Sequence, residues 1–180
     1  MQNNLFKEDF HAMAAGQEAI ANERLLIKPF KEDDWINLRL IRSDSGFRRY
    51  MLPANAPSSL SEENYKKRAI EFARAATQGP CAPRLICLKD SGEVIGSCGV
   101  IETANMPLPE LSFFILTAYR QQGYCLEAVR LLLKSLNGLK VGAFVNPENS
   151  ISIKVLERLG LKRVSSIYHP IFDSLGLWFE

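Results

Sequence analysis

Two clusters of residues in this chain have the types and spacing for chemistry. The first is Arg120-Gln121-Gln122-Gly123-Tyr124-Cys125, a polar run with one glycine between an apolar stretch and a helix-patterned one. A glycine-bearing turn at a helix start leaves several main-chain N–H groups without partners at the positive end of the helix dipole. Such a site suits phosphate and other anions. A single glycine also fits a plain strand-to-helix connection. The second cluster is Asn149-Ser150-Ile151-Ser152. Asn149 suits a helix cap. Ser152 shares a helical face with Val155, Leu156 and Leu159, where a hydroxyl either bonds back to helix carbonyls or meets a ligand. Two carboxylates at strand ends, Glu102 and Glu110, are candidates to accept a proton, and each also reads as a solvated edge group.

The elements that must position these groups follow from the hydrophobic period. Residues 111–116 form an apolar run, and Cys125, Ala128, Val129, Leu132, Leu133 and Leu136 then recur at helical spacing. The unit is strand, tight turn, helix. Upstream, residues 23–30 read as a strand ended by Pro29. Asp33 and Asp34 open a helix that stops at residues 43–46. A loop over 47–58 precedes a helix with Ser59 and Glu62 as its capping box. Residues 84–89 and 94–102 form a hairpin around Gly92. Downstream come a strand at 139–145, a helix ended by Gly160, and strands at 161–166 and 175–179. The order β-α-α-β-β-β-α-β-α-β-β gives an α/β (α+β) fold, a mixed sheet with helices on its faces.

Composition narrows the function. With 180 residues one domain is expected, as residues 23–180 behind an N-terminal extension over 1–22. A net charge of +2 argues against nucleic acid as the main partner. The four cysteines form no Cys-x-x-Cys pair and the two histidines, His11 and His169, lie far apart, so no metal site is expected. No secretory signal and no apolar run of roughly 20 residues is present, which predicts a reducing, cytoplasmic setting. Cys98 and Cys125 read as packing residues rather than nucleophiles.

Taken together, four segments resemble the GCN5-related N-acetyltransferase (GNAT) superfamily, in the branch of the ribosomal-protein N-acetyltransferases RimJ and RimL. Arg120-x-x-Gly123-x-Cys125-x-Glu127-Ala128 is similar to the acetyl-coenzyme A signature. Asn149-x-x-Ser152-x-x-Val155-Leu156-Glu157-Arg158-Leu159-Gly160-Leu161 is similar to the branch's late helix. The opening strand from Glu23 and the hairpin at Gly92-Glu93-Val94-Ile95-Gly96 fall in register with them.

The resemblance implies a mostly antiparallel sheet of six to seven strands flanked by about four helices, with a splayed strand pair at the cofactor site. It implies acetyl-coenzyme A as acetyl donor, no metal, and direct attack by an amine such as a protein N-terminus or a small molecule. The pantetheine arm would lie along Phe113, Phe114, Ile115, Leu116 and Thr117. The diphosphate would lie on Arg120, Gln121, Gln122, Gly123, Tyr124, Cys125 and Leu126, with Asn149 and Ser152 beside the sulfur. Ser152 would assist the leaving thiolate and Glu110 would take the amine's proton. Phe47, Tyr50, Met51, Tyr168 and Phe172 would line the acceptor side. The chain also departs from the family pattern. Gln121 stands where glycine is usual, Cys125 where glycine or alanine is usual, and Leu156 where many relatives carry a tyrosine that protonates the thiolate. These departures keep an alternative, a non-catalytic acyl-coenzyme A-binding or protein-interaction module on the same fold. Monomer and homodimer are both compatible with the sequence.

Overall fold

A computed structural model describes residues 19–57 and 59–180. The apolar alternation of the first half builds one antiparallel sheet in the order β1-β2-β3-β4-β5. Its strands are β1 (Ile20–Ala21), β2 (Leu25–Pro29), β3 (Pro83–Leu88), β4 (Val94–Ile101) and β5 (Glu110–Ile115). Helices α1 (Trp35–Ser43), α2 (Ser45–Tyr50) and α3 (Glu62–Gln78) connect β2 to β3. A 3-10 turn at Thr117–Tyr119 leads from β5 to α4 (Tyr124–Ser135). Then β6 (Ala143–Val145), α5 (Ser150–Arg158), β7 (Arg163–His169) and β8 (Ser174–Phe179) complete the chain. The last three strands form a second antiparallel sheet, in the order β6-β8-β7.

Successive side chains on a strand point to opposite faces, and that alternation divides the core. Leu25, Ile27, Ile86, Leu111 and Ile115 pack with Ala128, Val129, Leu132 and Leu136 of α4 and with Leu156 of α5. Leu85, Cys87 and Phe114 point the other way, onto Leu38, Ile41 and Tyr65 of α1 and α3. Glu110 has the same parity as Phe114, so its side chain belongs to the α1–α2 face.

The two sheets meet at one point. Glu110 and Gly142 form an isolated parallel bridge. There the Leu111 N–H donates to the Gly142 carbonyl at 2.7 Å, and the Gly142 N–H to the Pro109 carbonyl at 3.0 Å. Past that bridge β5 and β6 separate, as the resemblance implied. A Cβ at Gly142 would stand 2.6 Å from Trp178 Cη2, so only glycine fits the junction.

Several local expectations shift. Residues 47–50 are helical rather than loop, because the Asp44 carboxylate accepts from the Gly46 N–H at 2.8 Å and starts α2 at once. The cap of α3 is Ser61, which accepts from the Asn64 N–H at 3.2 Å; Ser59 instead donates to the Leu60 carbonyl. The strand expected at 139–145 narrows to Ala143–Val145, because Asn137 and Gly138 hold positive φ and residues 139–142 form the approach to the bridge. Ile20 and Ala21, placed in the extension, pair with Ile27 and Leu26. The rest of the extension, residues 1–18, falls outside the described residues.

Candidate functional site

The opening between β5 and β6 exposes one edge of β5. The Leu116 N–H donates to the Ile95 carbonyl of β4 at 2.8 Å, so even-numbered residues of β5 bond toward β4. Odd-numbered ones point toward β6, as the Leu111 bond to Gly142 shows. Beyond the bridge that leaves the N–H groups of Phe113 and Ile115 facing the gap, with the Phe113 carbonyl between them. An extended chain with an amide could pair there as an added strand. Leu116 and Thr117 offer less than the sequence suggested. The Leu116 amide is used by β4, while the Thr117 amide and hydroxyl both donate to Asp44, at 2.8 and 3.0 Å.

The turn after β5 carries the most direct chemical signal. The Arg120 N–H donates to the Thr117 carbonyl at 3.4 Å and the Glu127 N–H to the Gly123 carbonyl at 3.2 Å. Between them, no main-chain N–H of residues 121–126 has a hydrogen-bond partner among the described residues. Six consecutive amides converge where α4 begins, and Gly123 takes the N-cap place without a side-chain cap. Gln121 and Gly123 hold φ of 62° and 82°, a left-handed turn of the kind that can gather neighbouring amides around an anion. The usual glycine at position 121 has a clear reason: the backbone there is left-handed.

Arg120 does not reach over this cradle. Its Nε–H donates to the Ile115 carbonyl at 2.9 Å, its Nη2 lies 3.5 Å from Asp44, and its guanidinium stacks over Phe114. It braces the turn from behind. Arg24 has the complementary place in front. Its Nε–H donates to Glu127 at 2.9 Å, a second N–H pairs with the same carboxylate, and the guanidinium lies over the Tyr124 ring. Arg24 thus offsets the one acidic side chain in the first turn of α4. Sequence reasoning treated Arg24 as the start of a strand and Asp44 as part of a helix stop. Neither has a local signal for its role, because each acts on a segment about 100 or 70 residues away.

Across the gap, Asn149 caps α5 by accepting from the Ser152 N–H at 3.2 Å. The Ser152 hydroxyl has no hydrogen-bond partner among the described residues, so it makes no bond back to the helix. Leu156, one turn on, is buried in the core and carries no proton.

A cavity of about 600 Å³ lies between the α2 region and the ends of β6 and β8. Tyr50, Phe144, Asn146 and Phe172 line it, with Arg48 and Arg49. Of the expected lining residues, Tyr50 and Phe172 are there. Phe47 packs edge-on against Phe114 at 5.1 Å, Met51 packs into the second core, and Tyr168 is exposed with its hydroxyl donating to Asp173. Behind Phe144 and Phe172 lies a buried polar pair that the sequence reading missed. Glu110 accepts from His169 Nε2 at 3.0 Å, and both side chains are at least nine-tenths buried. Glu102 is exposed and takes no part.

Burial pushes the Cys125 thiol up to about 12, with Arg120 pulling against it, and burial raises Cys98 as well. These are poor nucleophiles at neutral pH. No group of three or more His, Cys, Asp or Glu among the described residues could hold a metal ion. No helix among them is long and apolar enough to cross a membrane.

Comparisons with known proteins agree with this geometry. The sequence model of the acetyltransferase (GNAT) domain matches residues 24–162. The uncharacterized N-acetyltransferase YnaD of Bacillus subtilis (strain 168) is 26% identical over 149 residues, covering 80% of this chain and 82% of that protein. Among solved structures, a GNAT-family acetyltransferase from Bacillus anthracis superposes with a TM-score of 0.70 at 22% identity, covering 89% and 96% of the two chains. RimJ of Mycobacterium smegmatis, in complex with CoA-disulfide, superposes at 0.69 with 16% identity, covering 90% and 83%. The last two likenesses are likenesses of fold.

Proposed function

Since this chain belongs to the GNAT acetyltransferase family, we propose that it moves an acetyl group from acetyl-coenzyme A to a primary amine, by direct attack on the thioester. The row of six unpartnered amides at residues 121–126 carries this reading. A diphosphate needs several converging donors and a positive dipole end, and the turn offers both without a loop rearrangement. The N–H groups of Phe113 and Ile115 suit an amide-bearing arm laid along β5. Acetyl-coenzyme A would supply the activated acyl group, and coenzyme A would leave as the free thiol once the C–S bond is broken.

The chain's own residues then have distinct tasks. The edge of β5 holds the acyl carbonyl in a polar, fixed environment. Ser152 offers a free hydroxyl to the sulfur side of the gap, where Leu156 cannot protonate. Glu110 accepts the proton that the attacking amine must lose, directly or through water. Holding amine and acyl group together supplies much of the rate.

The cavity narrows the acceptor. Arg48 and Arg49 line it, and none of its described lining residues is a carboxylate. Cationic walls repel polyamines and favour an amine with an anionic neighbour, such as a peptide N-terminus followed by acidic residues. Leu156 in place of an acid is the observation that favours the alternative, an acyl-coenzyme A-binding module without turnover. Calorimetry with acetyl-coenzyme A, followed by thiol release over a panel of peptides, polyamines and amino sugars, separates the two. We expect saturable binding and fastest release with acidic peptides. Binding without release across the panel leaves the binding module, and no binding overturns both.

A further inference from the structure

The Glu110–His169 pair has a geometry that assigns each partner one task. His169 closes β7, and Glu110 opens β5, 59 residues earlier. The imidazole packs against the edge of the stacked pair Phe144 and Phe172, 4.6 Å from each ring between centroids, while those two rings lie 5.6 Å apart. Its Nδ1 faces two main-chain donors, the N–H groups of Ile171 at 3.2 Å and Phe172 at 3.3 Å. An atom that receives two N–H groups is an acceptor, so the ring proton resides on Nε2. That Nε2–H points at both oxygens of Glu110, at 3.0 and 3.2 Å. Both ring nitrogens are committed, one accepting and one donating. His169 therefore has no open lone pair for an incoming proton, while the carboxylate keeps lone pairs free.

We propose that His169 is the positioning residue for the acceptor amine's proton: its Nε2–H fixes the Glu110 carboxylate in one orientation beside the acceptor cavity, and the imidazole takes no proton itself. The proposal rests on the reading of Glu110 as the proton acceptor. A carboxylate this deeply buried is costly without a donor, and here the aimed His169 Nε2–H supplies one. Phe144 and Phe172 are shared between the imidazole and the cavity lining, so the carboxylate lies just behind the wall where an amine would arrive.

The surrounding groups leave the pair isolated. Ile101 on β4 and Ser174 on β8 stand opposite Glu110 and His169 in their strands, and Gly142 closes the third side. On the same elements, Glu102 is exposed and Asp173 accepts from the Tyr168 hydroxyl. Across the cavity the charged groups are Arg48 and Arg49, and the Arg49 guanidinium lies 3.5 Å from Glu148.

The test compares kcat/KM against pH for the full chain and for His169→Gln, His169→Leu and Glu110→Gln, with acetyl-coenzyme A affinity measured alongside. The amide of the glutamine variant can place an N–H near the position of the imidazole Nε2. We expect His169→Gln to keep the wild-type profile within about threefold. We expect His169→Leu to move the acid limb to higher pH and to lower kcat/KM by roughly 10- to 100-fold, less than a whole general-base contribution of about 10²–10⁴-fold because Glu110 itself remains. Affinity for acetyl-coenzyme A should be unchanged in both. A His169→Leu limb that stays put, or equal losses in the glutamine and leucine variants, overturns the role of His169. A Glu110→Gln enzyme with an unmoved limb overturns the assignment of Glu110 itself, a distinct outcome. Should the leucine variant not fold, long-range ¹⁵N imidazole spectra of the wild-type chain decide. The Nε2–H form supports the proposal and the Nδ1–H form ends it.

Discussion

Gln121 and Gly123 both hold left-handed backbone, yet substitution should affect them in opposite ways. Gly123→Ala forces a Cβ into that region at a cost of about 1–2 kcal/mol. For a domain of this size we expect a fall of roughly 2–4 °C in Tm per kcal/mol, with weaker acetyl-coenzyme A binding because the amides tilt. Gln121→Gly removes the same strain and loses part of the gain to unfolded-chain entropy, so stability should rise slightly, by under about 1 kcal/mol. A thermal melt that ranked the two variants the other way would contradict the positive φ values. Ser152→Ala tests the sulfur side. Loss of one hydrogen bond made in the transition state is about 1–1.5 kcal/mol, or roughly tenfold in kcat at saturating acetyl-coenzyme A. Unchanged turnover would remove Ser152 from the mechanism. At this scale the sequence was informative. The turn at Gly123 and the Asn149 cap were legible because their types and spacing are local properties of a turn and a helix. Arg120 was not, because which way a long side chain leaves a turn depends on what packs behind it.

Between elements, Asp44 ties the α1–α2 junction to the turn below β5. It caps α2 and receives the amide and hydroxyl of Thr117 and the guanidinium of Arg120. Burial alone would raise its carboxyl, but the hydrogen bonds from Thr117 and Gly46 and the charge of Arg120 outweigh it and hold the group below its usual 3.8. The unfolded chain therefore binds the proton more readily. The stabilisation from Asp44 is complete above its unfolded value and is lost as pH falls through the folded one. We expect Asp44→Ala to cost about 1–3 kcal/mol near pH 7, from the lost cap and the orphaned Thr117 donors, and to flatten the acid limb of stability below about pH 4. Denaturant melts from pH 3 to 7 measure both. Arg24 acts at the other end of the turn. Its ion pair with Glu127 is half exposed and screened by solvent, so Arg24→Ala should change stability little. It should weaken acetyl-coenzyme A binding more clearly, because Glu127 would then face the diphosphate unopposed. The loss should shrink as salt is added, and an affinity indifferent to Arg24→Ala would separate this pair from the cradle.

For the whole molecule, the decisive feature is that two sheets touch at Glu110 and Gly142 and part beyond it. Gly142→Ala presses a methyl group onto the buried Trp178 ring, which overpacking values place at about 1–3 kcal/mol. We expect a lower denaturant midpoint with little change in slope, and weaker acetyl-coenzyme A binding as the gap changes width. A wild-type midpoint would show that the junction yields freely. The sequence by itself determined the order and type of most elements, the glycine-bearing turn before α4, and the family, because hydrophobic period, turn chemistry and helix starts are written within a few residues. It left three things to the tertiary structure: which edge of β5 stays unpaired, the brace of Asp44 on Thr117 across 73 positions, and the seating of His169 on Glu110 across 59. Those pairings depend on how distant strands and helices come together, and no local pattern encodes a contact between residues that meet only after the chain has folded.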